Sequence, residues 1–191
     1  MLSDALQFLL EVFLGLFSLA LLLRFYLQWL RAPARNPLGH FLSALTNWAV
    51  LPARRIVPGL WGLDLATLVL AWITEYVLVV TTYMLGGFSF GPAIGIDLVL
   101  FGVLAFIQLV KRSLYILMFA VIIQAVLSWV GTYSPATPIL NALTKPFLRV
   151  FQRRIPPVGN VDLSPLFLLV VCQLLVMALA AVQRSVAPGL G

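Results

Sequence analysis

Between Leu6 and Leu30 the chain carries only two charged side chains, Glu11 and Arg24, and mostly apolar runs recur over residues 63–85, 94–130 and 165–182. About 20 helical residues cross the roughly 30 Å hydrocarbon core of a bilayer. Inside that core every backbone N–H and C=O needs an internal partner, which helices and closed barrels alone supply. No hairpin alternation marks a barrel, so the runs are read as helices. Composition agrees: 62% hydrophobic residues, 9% charged and a mean hydropathy of +1.08 describe more apolar surface than a soluble domain of this length can hide. The first run is not read as a signal peptide, because Met1-Leu2-Ser3-Asp4 lacks a basic region and the run is too long.

The net charge of +6 raises nucleic acid as a partner. The basic residues, however, gather in two segments between runs, which is the usual signal of membrane orientation. No nucleic-acid partner is expected, and anionic lipid is. Arg31, Arg35, Arg54 and Arg55 lie in the first segment, and Lys145, Arg149, Arg153 and Arg154 in the second. The Gly86–Pro92 turn between them has no charge. If both basic segments are cytoplasmic, one crossing separates each from that turn. The segment 94–130 is longer than one span and holds Lys111-Arg112 at its middle. Two short spans there would put the second basic segment outside, so the charge pattern favours one span over about 113–130 with an outer apolar element over about 94–112.

The expected architecture is an all-α membrane protein with four transmembrane helices in two parallel tandem repeats. The first repeat, 1–92, has spans over about 6–30 and 63–85 and a connector over 31–62. The second, 93–191, has the outer element, spans over about 113–130 and 165–182, and a connector over 131–164. Trp29 aligns with Trp129, Arg24 with Gln124, Glu11 with Lys111 and Glu75 with Gln173. Each connector reads as a cytoplasmic amphipathic helix. Asn36 and Ser134 are N-caps, followed by Pro37 and Pro135 at the first helical position. In the second connector Ile139, Leu143, Phe147 and Phe151 recur every four residues, with Asn141, Lys145, Arg149 and Arg153 on another face. Pro146 is expected to kink or divide that helix. In the first, Leu38, Leu42, Leu45 and Trp48 form the apolar stripe. Asp64, Asp162 and Ser164 stand where the next spans begin and read as caps, the aspartates also as partners of the arginines before them.

The doubled pattern carries a family resemblance. The second copy reads Ser128-Trp129, Ser134-Pro135, Leu143-Thr144-Lys145-Pro146, Arg153-Arg154-Ile155-Pro156-Pro157 and Asp162-Leu163-Ser164-Pro165. The first reads Gln28-Trp29, Asn36-Pro37, Leu45-Thr46-Asn47-Trp48, Arg54-Arg55-Ile56-Val57-Pro58 and Asp64-Leu65-Ala66-Thr67. Together they resemble the YggT family of integral membrane proteins, including its YlmG-like relatives, with departures confined to the first copy. The resemblance implies a bacterial inner-membrane protein linked to osmotic or extracytoplasmic stress, and in relatives to cell division or cytochrome assembly. It implies no molecular mechanism.

Among single residues, Arg54, Arg55, Lys145, Arg149, Arg153 and Arg154 are the candidate contacts to lipid or a partner. They fit a general anchor on anionic lipid, or recognition of one head group or partner by paired guanidinium groups. Arg24 and Glu75 form a candidate intramembrane pair, though Arg24 also lies close enough to the interface to snorkel. An interspan hydrogen bond and a proton or ion path both fit that pair. Glu11 and Lys111 are a second candidate pair. His40 reads as a solvated histidine and Cys172 as a small core hydrophobe. No metal or cofactor motif and no nucleophile–base arrangement stands in the sequence, so an enzyme is not expected. Two function classes remain open: a non-enzymatic protein acting through lipid, a partner or a second copy of itself, and a small oligomeric channel or transporter subunit. A membrane assembly factor is a further alternative.

Overall fold

The computed structural model describes residues 2–33, 36–59, 62–90, 94–130, 136–154 and 162–186. Among them the chain is helical without strands: α1 Leu2–Trp29, α2 Pro37–Ile56, α3 Leu65–Leu85, α4 Ile94–Val130, α5 Thr137–Gln152 and α6 Ser164–Val186. Four of these, α1, α3, α4 and α6, are long and apolar enough to cross a membrane.

The ends follow local chemistry. Asn36 accepts the Gly39 N–H and Pro37 opens α2, as its sequence requires. Asp64 caps α3 by accepting the Thr67 N–H. The Ser134-Pro135 start expected for α5 lies outside the described residues, and the described helix begins at Thr137 with Pro138 in its first turn. Pro146 does not divide α5, nor does Pro52 divide α2. At the end of α1, Ala32 N–H donates to the Leu27 carbonyl at 2.9 Å and Arg31 N–H to the Gln28 carbonyl at 3.2 Å. This closing turn places Arg31 at φ 51, a left-handed seat that glycine usually fills and that costs any other side chain about 1 kcal/mol.

The element over 94–112 and the span over 113–130 form one helix, α4. At 1.5 Å per residue its 37 residues extend about 55 Å. Lys111 and Arg112 therefore stand at the centre of a continuous rod, not at a boundary between two pieces.

The long helices pack α1 on α3, α3 on α4 and α4 on α6, while α2 sits against α1 and α3 and α5 against α4 and α6. One core joins Leu21, Leu22, Val50, Ala71, Leu109 and Ile116, and another joins Ala20, Leu27, Leu42, Ala120 and Leu143. Cys172 is buried with Val121, Leu148 and Leu168. Helix α2 departs from its expected stripe. It buries Leu42, Thr46 and Val50, while Leu45 and Trp48 are 41% and 70% exposed. The helix is apolar on two sides, and the protein uses only one. Phe8, Phe13, Val99, Phe106, Leu166 and Leu174 also point outward, a surface that hydrocarbon accepts and water penalises.

Candidate functional site

Among the described residues the most buried charge is Glu75, on α3, at 1% exposure. Its partner is Arg112 of α4: Nε lies 2.5 Å from Oε1, and Nη2 donates to Oε2 at 3.2 Å. Ser18 of α1 donates to the same Oε1 at 2.5 Å, and Arg112 Nη1 donates to the Gly15 carbonyl at 3.0 Å. A Cβ at Gly15 would stand 3.1 Å from that Nη1, so any larger residue there would press the guanidinium back by a few tenths of an ångström. Three helices are thus pinned at one point. Both carboxylate oxygens are engaged, which meets the requirement for retaining a charge in an apolar interior.

The Arg24–Glu75 pair expected from sequence does not form. Arg24 Nη1 instead donates to Thr46 Oγ1 at 2.6 Å and Asn47 Oδ1 at 2.8 Å, both on α2. The residue of α1 that meets Glu75 is Ser18, six positions and about 9 Å of helix deeper. Depth separates the two charges. The second expected pair is absent as well: Glu11 accepts from Gln7, and Lys111 donates to Gln183 at 3.1 Å. Sequence reading passed over Arg112 as a partner, although the Lys111-Arg112 step inside an apolar run was its visible signal. Ser18, Thr46 and Thr144 carried no signal beyond being small polar residues among apolar ones.

A cavity of about 420 Å³ adjoins the buried pair, lined by Glu11, Glu75, Thr82, Gln108, Arg112 and Gln183 among others.

The connectors meet the spans at two corners. In the first, Arg24 bonds Thr46, and Arg54 reaches Asp64 with Nε at 3.3 and 3.2 Å and Nη2 at 2.5 Å. Asp64 also accepts from Thr67 Oγ1 at 2.6 Å. In the second, Thr144 donates to the Gln124 amide oxygen, and Gln124 donates to Asn141 at 2.9 Å. There Gln152 donates to Asp162 at 2.8 Å, and Asp162 accepts the Ser164 N–H at 2.9 Å. Thr46 donates to the Leu42 carbonyl four residues earlier, and the single Thr144 hydroxyl proton is shared between the Leu140 carbonyl and the Gln124 amide oxygen. Burial works to raise the Asp64 carboxyl, but the bonds from Arg54 and Thr67 outweigh it and hold the group below its ordinary range. Asp162 moves the same way: burial acts upward, and the bonds from Ser164 and Gln152 prevail.

The candidate lipid contacts separate. Arg54 is engaged with Asp64, whereas no side-chain bond to described residues occupies Arg55, Lys145, Arg149, Arg153 or Arg154, and all five are exposed. Asn141, Lys145, Arg149 and Arg153 form an exposed line opposite the buried Ile139, Leu140, Leu143 and Leu148 of α5. Ser164 is fully buried, and its hydroxyl has no partner among the described residues. His40 is exposed but lines a cavity with Arg24, Arg31 and Arg54.

Comparison with known proteins gives the following. The CCB3/YggT family profile matches residues 3–85 and again residues 98–183. An uncharacterized protein of Pseudomonas aeruginosa is 38% identical over 178 residues, covering 92% of this chain and 88% of its own. The uncharacterized protein YggT of Escherichia coli K12 is 28% identical over 183 residues, covering 95% and 93%. A Vibrio alginolyticus protein described as uncharacterized, in the proC 3' region, is 31% identical over 171 residues, covering 87% and 89%. No solved structure matches the chain.

Proposed function

This chain belongs to the CCB3/YggT family, and from that premise we propose a non-enzymatic, multi-pass protein of the bacterial inner membrane whose two basic connectors hold anionic lipid or an acidic partner. Its two halves are parallel repeats, with both connectors cytoplasmic and both termini outside. In this reading it serves osmotic or envelope homeostasis, and its contacts are head groups, a membrane-protein partner or a second copy of itself.

The observation that carries the reading is the exposed line Lys145, Arg149 and Arg153 above a buried apolar face. With its apolar face packed on the spans, the helix turns the basic line outward, where each basic residue near anionic lipid contributes about 1 kcal/mol. Salt screens that attraction over about 10 Å at 0.1 M. The test uses the full chain in vesicles. Lipid extracted with the protein from mixed vesicles should be enriched in anionic species, and the variant carrying Arg149→Gln, Arg153→Gln and Arg154→Gln should lose most of that enrichment. Equal recovery of neutral and anionic lipid by the parent protein would sink the reading.

A second reading rests on the cavity beside Glu75. A chamber of mixed polar and apolar lining that reaches a buried ion pair also suits an ion-conducting subunit of an oligomer. Ion flux in proteoliposomes, abolished by Glu75→Gln in protein that remains folded, would favour it over the first.

A further inference from the structure

A second cavity of about 420 Å³ lies where the end of α1 meets α2, and its charge is one-sided. Arg24, Arg31 and Arg54 line it together with His40, Asn36 and Gln28, and no acidic residue does so among the described residues. Asp64 neutralises Arg54 from one side, leaving two net positive charges at the wall. The donors are not spent. Arg24 uses Nη1 on Thr46 and Asn47, and its Nε and Nη2 have no acceptor among the described residues. Arg54 uses Nε and Nη2 on Asp64, and its Nη1 has no acceptor among the described residues. The Arg31 side chain makes no hydrogen bond to the described residues.

Arg31 supplies a second, independent observation. It holds a left-handed backbone seat that glycine fills without strain. Two residues after the corresponding tryptophan, Trp129, the second half of the chain has Gly131. The other two arginines are also replaced there: Gln124 takes the place of Arg24 on the connector threonine, and Gln152 takes that of Arg54 on the aspartate. The ties survive with amides, so the guanidinium groups are not required for holding the connector. An observed backbone outlier points toward function when its side chain has no structural duty.

We infer that this cavity binds a phosphoryl group, held between Arg31, just past the end of α1, and Arg24 within that helix. Planar guanidinium forks match phosphate oxygens in pairs. The phosphoryl group belongs to a lipid head group or to a soluble phosphomonoester. The inference rests on the proposed basic-side reading only for which leaflet the cavity faces; the exposed α5 line takes no part in it.

The test measures unfolding midpoints of the full chain in neutral detergent. The probes are phosphatidylglycerol in mixed micelles, glycerol 3-phosphate, and diacylglycerol as the phosphate-free control, all at matched ionic strength. The parent protein should show a saturable rise with phosphatidylglycerol, with glycerol 3-phosphate, or with both, and none with diacylglycerol. Phosphatidylglycerol alone assigns the lipid source, and the soluble ester assigns the free one. Arg31→Gly should keep or raise the probe-free midpoint while weakening apparent affinity at least 10-fold. Arg24→Gln should weaken it similarly, and Arg184→Gln, which removes an exposed charge in the last turn of α6, should leave it unchanged. No saturable rise with either phosphate probe overturns the site. So does full retention of the rise by Arg31→Gly, or equal loss in Arg184→Gln, which would make it general charge attraction. If the vesicle experiment on the α5 line fails while the Arg31-dependent rise persists, the connector reading falls and the cavity stands.

Discussion

The two corners where connectors meet spans build the same frame from different chemistry. At the first, arginines hold Thr46 and Asp64; at the second, glutamines hold Thr144 and Asp162, with the same ten-residue spacing from Arg54 to Asp64 and from Gln152 to Asp162. Asp64 is buried and Asp162 exposed. The first corner encloses a cavity of about 420 Å³, the second one of about 210 Å³ lined by Gln124, Asn141, Lys145, Leu148 and Gln152. The difference teaches that the frame accepts either an arginine or a glutamine at each tie, whereas guanidinium groups serve the ties at one corner only. A deeper asymmetry accompanies it. Glu75 is sealed by Arg112 and Ser18, while Gln173, at the aligned position of α6, is exposed.

The largest expected effect tests that asymmetry. Glu75→Gln leaves the Arg112 charge in an apolar interior without its counter-ion, and breaking one side of a buried pair costs about 3–5 kcal/mol. Gln173→Leu should change stability by less than about 0.5 kcal/mol. Thermal unfolding of both variants in one detergent compares them directly; equal midpoints would show that the buried pair does not anchor the bundle.

Acid should separate the corners next. The Asp64 carboxyl titrates lower in the fold than in the unfolded chain, so the folded state binds fewer protons. Its stabilisation is fully present above the ordinary range near about pH 4 and is lost as pH falls through the lower folded value. Asp64→Asn should therefore be less stable than the parent above that range and converge with it in strong acid. Asp162→Asn should follow the same course with a smaller gap, since Asp162 is exposed and its side-chain donor is neutral. Unfolding midpoints from pH 6 to pH 2 would expose the error if the Asp64→Asn and parent curves ran parallel throughout.

The connector threonines come third. Thr46→Val removes an acceptor from a guanidinium and Thr144→Val a bond to an amide, so losses of about 2 and about 1 kcal/mol are expected. The reverse order in denaturant unfolding would mean that the charge on Arg24 adds nothing to its tie.

The smallest effect concerns the starts of α3 and α6. Thr67 gives its hydroxyl to Asp64, but the buried Ser164 hydroxyl has no partner among the described residues. Ser164→Ala should be neutral or slightly stabilising, and Thr67→Val should cost about 1 kcal/mol. A clear loss in Ser164→Ala would reveal a partner that the described residues do not include.

What the sequence by itself determined is what depends on local chemistry and on periodicity. Apolar length marked the regions of all four long helices, since crossing hydrocarbon is a matter of composition and reach. Asn36 and Asp64 were legible as caps because capping needs only a short polar side chain three residues before an unpaired N–H. The exposed line Asn141, Lys145, Arg149 and Arg153 followed from a four-residue spacing. Tertiary structure alone decided partners. Arg24, Glu75, Glu11, Lys111 and Arg112 are all charges within apolar runs, and sequence says only that each needs compensation. Which one meets which depends on the relative depth and rotation of packed helices. A shift of six positions along α1 replaced Arg24 by Ser18 at Glu75, and the unbroken course of α4 brought Arg112 to the same point. The face that α2 buries was likewise a tertiary choice, because two of its faces are apolar and only packing against α1 and α3 selects between them.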